Sequence, residues 1–208
     1  MLQYITDASA KRSVEDQIKD VLGAGCNWIT IDPEGMSDDE VKTLVEKIMP
    51  DCLEKQAFLL IKDRVALAKE CNVGGTVLSQ DNGDTPSYAR TVLGAAAVIG
   101  VEVANTQQID RLTGLDMDYV VMPYQTLGID GVKDLCQYME QKEMELPRVA
   151  GVGVSYDDIP LLMDAGCNGV AMREALAEAD DIAAETKKAL VLLKEYEKKE
   201  LAKLDSHS

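Results

Sequence analysis

The chain has 208 residues, of which 46% are hydrophobic, and a formal net charge of −16. This length fits one domain and lies at the small end of the β/α barrel range. The acidic balance argues against nucleic acid or an anionic membrane as a partner, and no apolar run approaches the roughly 18 residues of a membrane span. Five cysteines without a CxxC spacing, and no recognisable secretory segment, predict reduced, mostly buried thiols in a cytoplasmic protein.

Eight short apolar runs, each bounded by turn residues, recur along the chain. Several lack the polar and apolar alternation of a sheet with one wet face, which is typical of parallel strands buried on both sides. The runs are 3–6 (QYIT), 28–31 (WITI), 58–61 (FLLI), 76–78 (TVL), 98–103 (VIGVEV), 119–122 (YVVM), 149–153 (VAGVG) and 170–172 (VAM).

Helical patterns fill the gaps between these runs. Ser37 opens a capping box with Glu40, ahead of apolar residues at helical spacing. The last pattern, at about 181–204, predicts a C-terminal helix whose short frayed tail holds the only histidine, His207. Strand and helix units that alternate in this way predict a (β/α)8 TIM barrel as a single domain over 1–208, and an open, doubly wound sheet is the alternative.

Acidic residues follow most of the predicted strands, where a barrel carries its functional groups. Basic residues are fewer there, namely Lys62, Arg64 and Arg173. The sequence therefore predicts an acidic mouth, whose rim carries Asp7, Asp32, Glu34, Asp63, Asp81, Asp84, Glu102 and Glu174.

Several segments resemble, in their order and spacing, the thiamine phosphate synthase family, which also contains the thiazole tautomerases. Residues 2–7 (LQYITD) are similar to its LYLITD, 60–68 (LIKDRVALA) to its INDRxxLA, and 75–82 (GTVLSQDN) to its GVHLGQxD. The resemblance covers 2–176 and implies a barrel fold. It also implies a transferase that joins a hydroxymethylpyrimidine diphosphate to a thiazole phosphate, with release of pyrophosphate and assistance from Mg²⁺.

The family's Gln-x-Arg-x-Lys motif, which ends strand 2 and binds the diphosphate and the pyrimidine, aligns with Thr30, Asp32 and Glu34. Two cations are thereby replaced by two anions. Like charges at short range in a partly desolvated site would repel a diphosphate unless a metal lay between them. Taken alone, this segment could instead be a solvated turn with capping acids.

The resemblance also implies a magnesium site. Asp63 matches one metal-binding aspartate of the family, although Lys62 replaces the asparagine before it. The second metal aspartate aligns with Asn82, so that Asp81 or Asp84 would have to substitute for it. An alternative for Asp63 is that it only caps the helix that follows.

On the phosphate side, the family's Thr-x-Thr-Lys is reduced to Thr126, and Gly153 is retained. A serine of the strand 8 loop is replaced by Glu174, beside Arg173. The resemblance therefore predicts a phosphate site near Gly153 and Arg173 that Glu174 weakens.

Three hypotheses follow. The first is a synthase-type enzyme of thiamine biosynthesis whose activity is impaired or altered. The second is a non-catalytic or repurposed barrel that binds a cationic thiamine-related ligand or a divalent metal. The third is a purely structural or partner-binding role, with the charged C-terminal helix as the interaction element. The expected partner is a small-molecule thiamine precursor or a cationic ligand, and a homodimer is left open.

Overall fold

Eight parallel strands close into a barrel in the computed structural model, which describes residues 1–80 and 83–206. Each strand pairs with the next along the chain, and the eighth returns to pair with the first. The predicted barrel is confirmed, and the open sheet is wrong. The strands are β1 Leu2–Ile5, β2 Trp28–Ile31, β3 Phe58–Lys62, β4 Gly75–Leu78, β5 Val98–Glu102, β6 Tyr119–Pro123, β7 Arg148–Gly151 and β8 Gly169–Met172.

Helices connect the strands, as the parallel crossovers require. The last helix extends over Ile182–Ser206, and His207 lies outside the described residues. The helices are α1 Val14–Gly23, α2 Asp38–Glu54, α3 Val65–Glu70, α4 Pro86–Leu93, α5 Thr106–Leu112, α6 Tyr124–Gln141, α7 Ile159–Asp164, α8 Glu174–Ala177 and α9 Ile182–Ser206, with a 3-10 turn at Tyr156–Asp158 before α7.

Helix α2 shows how local sequence sets an element. The predicted capping box is confirmed, because the Ser37 amide donates to Glu40 Oε2 at 2.8 Å and the Glu40 amide donates to Ser37 Oγ at 3.3 Å. Val41 and Ile48, which lie on one face of the helix, are fully buried. The cap and the apolar face thus position the same helix.

Strand β7 ends earlier than predicted. The sequence pattern extended it to Gly153, whereas the strand stops at Gly151. Val152 and Gly153 follow it with φ of 61° and 77°, both in the left-handed region. A strand cannot continue through that conformation, so the chain turns at the carboxyl-terminal end of the barrel.

The barrel interior is filled by side chains. One apolar cluster consists of Ile5, Leu60, Val77, Tyr119, Val121, Val149 and Ala171. Trp28 packs beneath it, with its ring centroid 5.3 Å from that of Tyr119 in an edge-to-face arrangement. A larger cluster lies between the strands and the helices, and it includes the buried cysteines. Among the described residues, no helix is long and apolar enough to cross a membrane.

Candidate active site at the barrel mouth

Asp32 is the central acid of the mouth. It follows β2, is only 5% exposed, and its amide donates to Thr6 Oγ1 at 3.0 Å. Its Oδ2 atom lies 3.2 Å from Arg173 Nη1 and 3.5 Å from Lys62 Nζ. Lys62 at the end of β3 and Arg173 directly after β8 are therefore both directed toward the carboxylate that follows β2.

Arg173 is surrounded by carboxylates. Besides Asp32, its guanidinium nitrogens lie 3.6 Å from Asp7 Oδ2, 3.8 Å from Glu34 Oε2 and 3.8 Å from Glu174 Oε1. These three distances indicate ion pairs rather than short hydrogen bonds. The positive charge of Arg173 is therefore shared among several acids of the protein itself.

Asp7 is held ionised beside this cation. Burial raises the pKa of Asp7, but hydrogen bonds from the Ser9 hydroxyl and amide, together with the Arg173 guanidinium, outweigh it and lower the pKa overall. The two Ser9 donors lie 2.6 and 2.8 Å from Asp7 Oδ1. Hydrogen bonds to a carboxylate stabilise its charged form, so Asp7 adds a fixed negative charge to the mouth.

Gln3 supports the floor of the mouth and was missed by the sequence analysis. It is 1% exposed, and its side-chain amide donates to Thr30 Oγ1 at 2.6 Å and to the Tyr119 hydroxyl at 2.9 Å. A usable signal existed, because Gln3 is two residues before Ile5 and therefore faces the same interior side of β1. The hydroxyl of Thr30 is thus hydrogen-bonded at the floor of the mouth to the neighbouring strand β1.

The cavity above this floor is small. Its volume is about 20 Å³, which is roughly the space that one water molecule requires. Its polar lining is Gln3, Thr30, Asp32, Lys62, Glu102 and Arg173, and its apolar lining is Ile5, Val77, Val121 and Val152.

Two wider hollows lie at the same end of the barrel. An outer cleft of about 390 Å³ is lined by Ala8, Ser9, Asp32, Glu34, Gly35 and Arg173. A second hollow of about 420 Å³ includes Gly153, Ser155 and Glu174 in its lining. Arg173 joins the small cavity to the outer cleft, whereas Gly153 and Glu174 meet in the second hollow.

The remaining predicted residues are dispersed. Thr126 lies in the first turn of α6, is exposed, and does not line the small cavity. The capping alternative for Asp63 is wrong, because Arg64 is the N-cap of α3, and Asp63 Oδ1 instead accepts the Ser79 amide at 2.6 Å. Asp84 is half-buried just before α4.

Asp81, the other proposed metal ligand, lies outside the described residues. Within the described parts of the chain, no three His, Cys, Asp or Glu side chains are grouped so that they could hold a metal ion. A site that depends on fewer protein ligands stays a prediction, since Mg²⁺ usually takes one or two carboxylates plus water or phosphate.

A closed parallel barrel with charged side chains gathered at its carboxyl-terminal end has the architecture of a barrel enzyme. The model of the thiamine monophosphate synthase family matches residues 2–176. The chain therefore belongs to the thiamine monophosphate synthase family.

Similar proteins agree with this assignment. Thiamine-phosphate synthase of Bacteroides thetaiotaomicron is 31% identical over an alignment of 201 residues that covers 91% of this chain and 95% of that protein. The enzyme of Bacteroides fragilis strain YCH46 is 30% identical and covers 91% and 98%. Thiamine phosphate pyrophosphorylase from Pyrococcus furiosus shares the fold, with a TM-score of 0.82 at 19% identity over 94% of this chain and 96% of that one.

Proposed function

We propose that this protein acts on thiamine precursors in thiamine biosynthesis, with the synthase reaction of its family impaired or altered. Membership of the family supports the precursor class. The observation that supports an impaired or altered synthase reaction is the pairing of Asp32 with both Lys62 and Arg173. These are the two cations that line the small cavity among the described residues.

A diphosphate that enters this mouth must compete with Asp32 for both cations. At an effective dielectric of about 20, like charges about 4 Å apart repel by roughly 4 kcal/mol before salt screening. About 1.4 kcal/mol already weakens binding tenfold. Glu34 contributes less, because its side chain is 80% exposed and its charge is screened by water and salt. The buried carboxylate of Asp32 therefore dominates the expected loss of affinity.

The test is product formation from hydroxymethylpyrimidine diphosphate and thiazole phosphate at saturating Mg²⁺. We expect little or no thiamine phosphate, with the Bacteroides thetaiotaomicron enzyme as the positive control. Robust turnover by the wild-type protein would contradict the proposal. It would show either that Lys62 and Arg173 exchange Asp32 for the diphosphate, or that other groups bind the diphosphate.

We also propose that Mg²⁺ binds beside Asp63, with Asp84 or Asp81 as a second carboxylate. Carboxylate oxygens are suitable ligands for this hard cation. The Ser79 amide orients the Asp63 carboxylate. When bound there, Mg²⁺ would neutralise charge on a diphosphate. Calorimetric titration with Mg²⁺ and Mn²⁺ should give heat with the wild type and Asp51→Ala, a control near the end of α2, but not with Asp63→Ala.

The second candidate function is binding of a cationic thiamine-related ligand without synthesis. It is favoured by the outer cleft, where Asp32 and Glu34 present two carboxylates beside the already paired Arg173. Thiamine itself is a suitable probe, because it is cationic and lacks phosphate. Tighter binding of thiamine than of thiamine phosphate would favour this candidate over the first.

A further inference from the structure

Val152 has a conformation that is costly for its residue type. Its φ of 61° lies in the left-handed region, where a β-branched residue is a genuine outlier. Such strain persists only where the surrounding structure imposes it. The Gln125 amide donates to Val152 O at 3.0 Å, and a Cβ on the adjacent Gly153 would lie 2.9 Å from Gln125 Cβ. The turn is therefore pinned against the start of α6.

The strained turn places Val152 at the barrel mouth. Val149 belongs to the interior cluster, so that alternation directs Gly151 to the interior and would direct the next residue toward the helices. The left-handed turn interrupts this alternation, and Val152 instead lines the small cavity together with Asp32 and Arg173.

The barrel interior next to Val152 is closely packed. A Cβ at Gly151 would lie 3.0 Å from Val121 Cγ1 and 3.2 Å from Ala171 Cβ, so these elements are already in close contact. Close-packed interiors of this kind yield little volume. The packed interior beside Gly151 therefore offers no space for a larger ligand, whereas the Val152 side chain, which lines the cavity wall, can be shortened.

We propose that Val152 determines ligand specificity by keeping ring-sized ligands out of the barrel axis. A cavity of about 150 Å³ holds one benzene molecule, whereas the cavity here has about 20 Å³. Ligands of the wild-type protein are then confined to the outer cleft beside Arg173. The choice of a pyrimidine as the excluded ring rests on the proposed function.

The experiment measures the affinity of neutral hydroxymethylpyrimidine, which carries no diphosphate, by calorimetric titration. We expect Val152→Gly to bind it at least tenfold more tightly than the wild type does. Val152→Ala, which keeps the β-carbon and loses two methyl groups, should lie between them. Val152→Leu should bind no better than the wild type.

Val154→Ala is the matched control, because Val154 is 2% exposed and lines the second hollow rather than the small cavity. It should leave the affinity unchanged. Equal affinity of the wild type and a folded Val152→Gly, verified by circular dichroism, would overturn the inference. If the glycine variant does not fold, equal affinity of Val152→Ala and the wild type would overturn the inference instead. Because the probe is uncharged, this result is separate from the diphosphate turnover that tests the proposed function.

Discussion

At the scale of single residues, the chemistry of the mouth depends on which anion the two cations bind. Lys62 and Arg173 are 25% and 19% exposed, so solvent reaches both of them while Asp32 remains largely covered. An internal carboxylate that satisfies both cations takes the place that an anionic ligand would need. We therefore expect the charge of Asp32 to influence ligand choice more strongly than the net charge of the whole chain does.

Asp32→Asn should release both cations for an external anion. We expect this variant to bind pyrophosphate at least tenfold more tightly than the wild type, measured by calorimetry at low ionic strength, because the competing negative charge is removed. Glu34→Gln is the matched control and should change the affinity less, since the Glu34 side chain is 80% exposed and screened. An equal effect of the two substitutions would contradict the central role of Asp32.

Asp7 makes stability dependent on acid pH. Its pKa is lowered from the ordinary value of 3.8 in the folded protein. A lowered pKa stabilises the fold above the unfolded value, and the contribution is lost as the pH falls through the folded value. At neutral pH, Asp7→Asn should cost about 1–2 kcal/mol, because the charge-assisted hydrogen bonds from Ser9 become neutral ones and the negative charge beside Arg173 is lost.

Urea unfolding of both proteins between about pH 7 and about pH 2 tests this prediction. The difference in the free energy of unfolding should be constant well above 3.8 and shrink below it. A difference that grows as the pH falls would show that Asp7 is not stabilised as a carboxylate.

At the scale of elements, Arg90 connects α4 to the strands at its C-terminal end. Its Nη1 donates to Ala97 O at 2.6 Å, and its Nη2 donates to Asp118 Oδ2 at 2.9 Å. Asp118 Oδ2 in turn accepts the Ile99 amide at 2.7 Å. One largely buried guanidinium therefore ties a helix to the loop before β5 and to the start of β6.

Arg90→Met should lower the free energy of unfolding by about 2 kcal/mol, because the charge-assisted hydrogen bonds of a largely buried guanidinium are lost. Arg111→Met, at an exposed arginine of α5, should stay within about 0.5 kcal/mol of the wild type. Denaturant unfolding followed by circular dichroism provides the comparison. Equal losses for both variants would mean that the Arg90 contacts contribute little.

At the scale of the whole molecule, activity would require several strand ends to act together. The diphosphate-binding motif of the family ends one strand, while its phosphate and metal residues follow others. The resemblance implies that Thr30, Asp32 and Glu34 stand in place of the β2 motif of the family, and we propose that Val152, which lines the small cavity, narrows the barrel axis. Restoring the family's residues at the end of one strand therefore leaves the differences at the other strand ends unchanged.

The combined variant Thr30→Gln, Asp32→Arg and Glu34→Lys should bind pyrophosphate at least tenfold more tightly than the wild type, since it exchanges two anions for two cations. It should still form little thiamine phosphate, because Asn82, the missing lysine after β6 and Val152 are unchanged. Addition of Val152→Gly should increase its affinity for hydroxymethylpyrimidine diphosphate further. Full turnover by the triple variant alone would contradict this division of roles.

The sequence by itself determined the barrel and the family. Apolar runs and helix caps are local patterns, and their repetition along the chain leaves few ways to bury every strand. Because parallel strands all end at one rim, the position of Asp32 after its strand also placed it at the mouth. The resemblance to synthases added the family, which the match over residues 2–176 confirmed.

Only the tertiary structure decided what these residues do to one another. Asp32 meets Lys62 and Arg173 from 30 and 141 residues away in the chain, and such pairings depend on side-chain directions that composition and spacing do not specify. The end of β7 was mispredicted for a related reason, since valine favours a strand but Val152 is held at a φ of 61°. Contacts around the turn outweigh that local preference, and they leave Val152 on the wall of the mouth rather than in the strand.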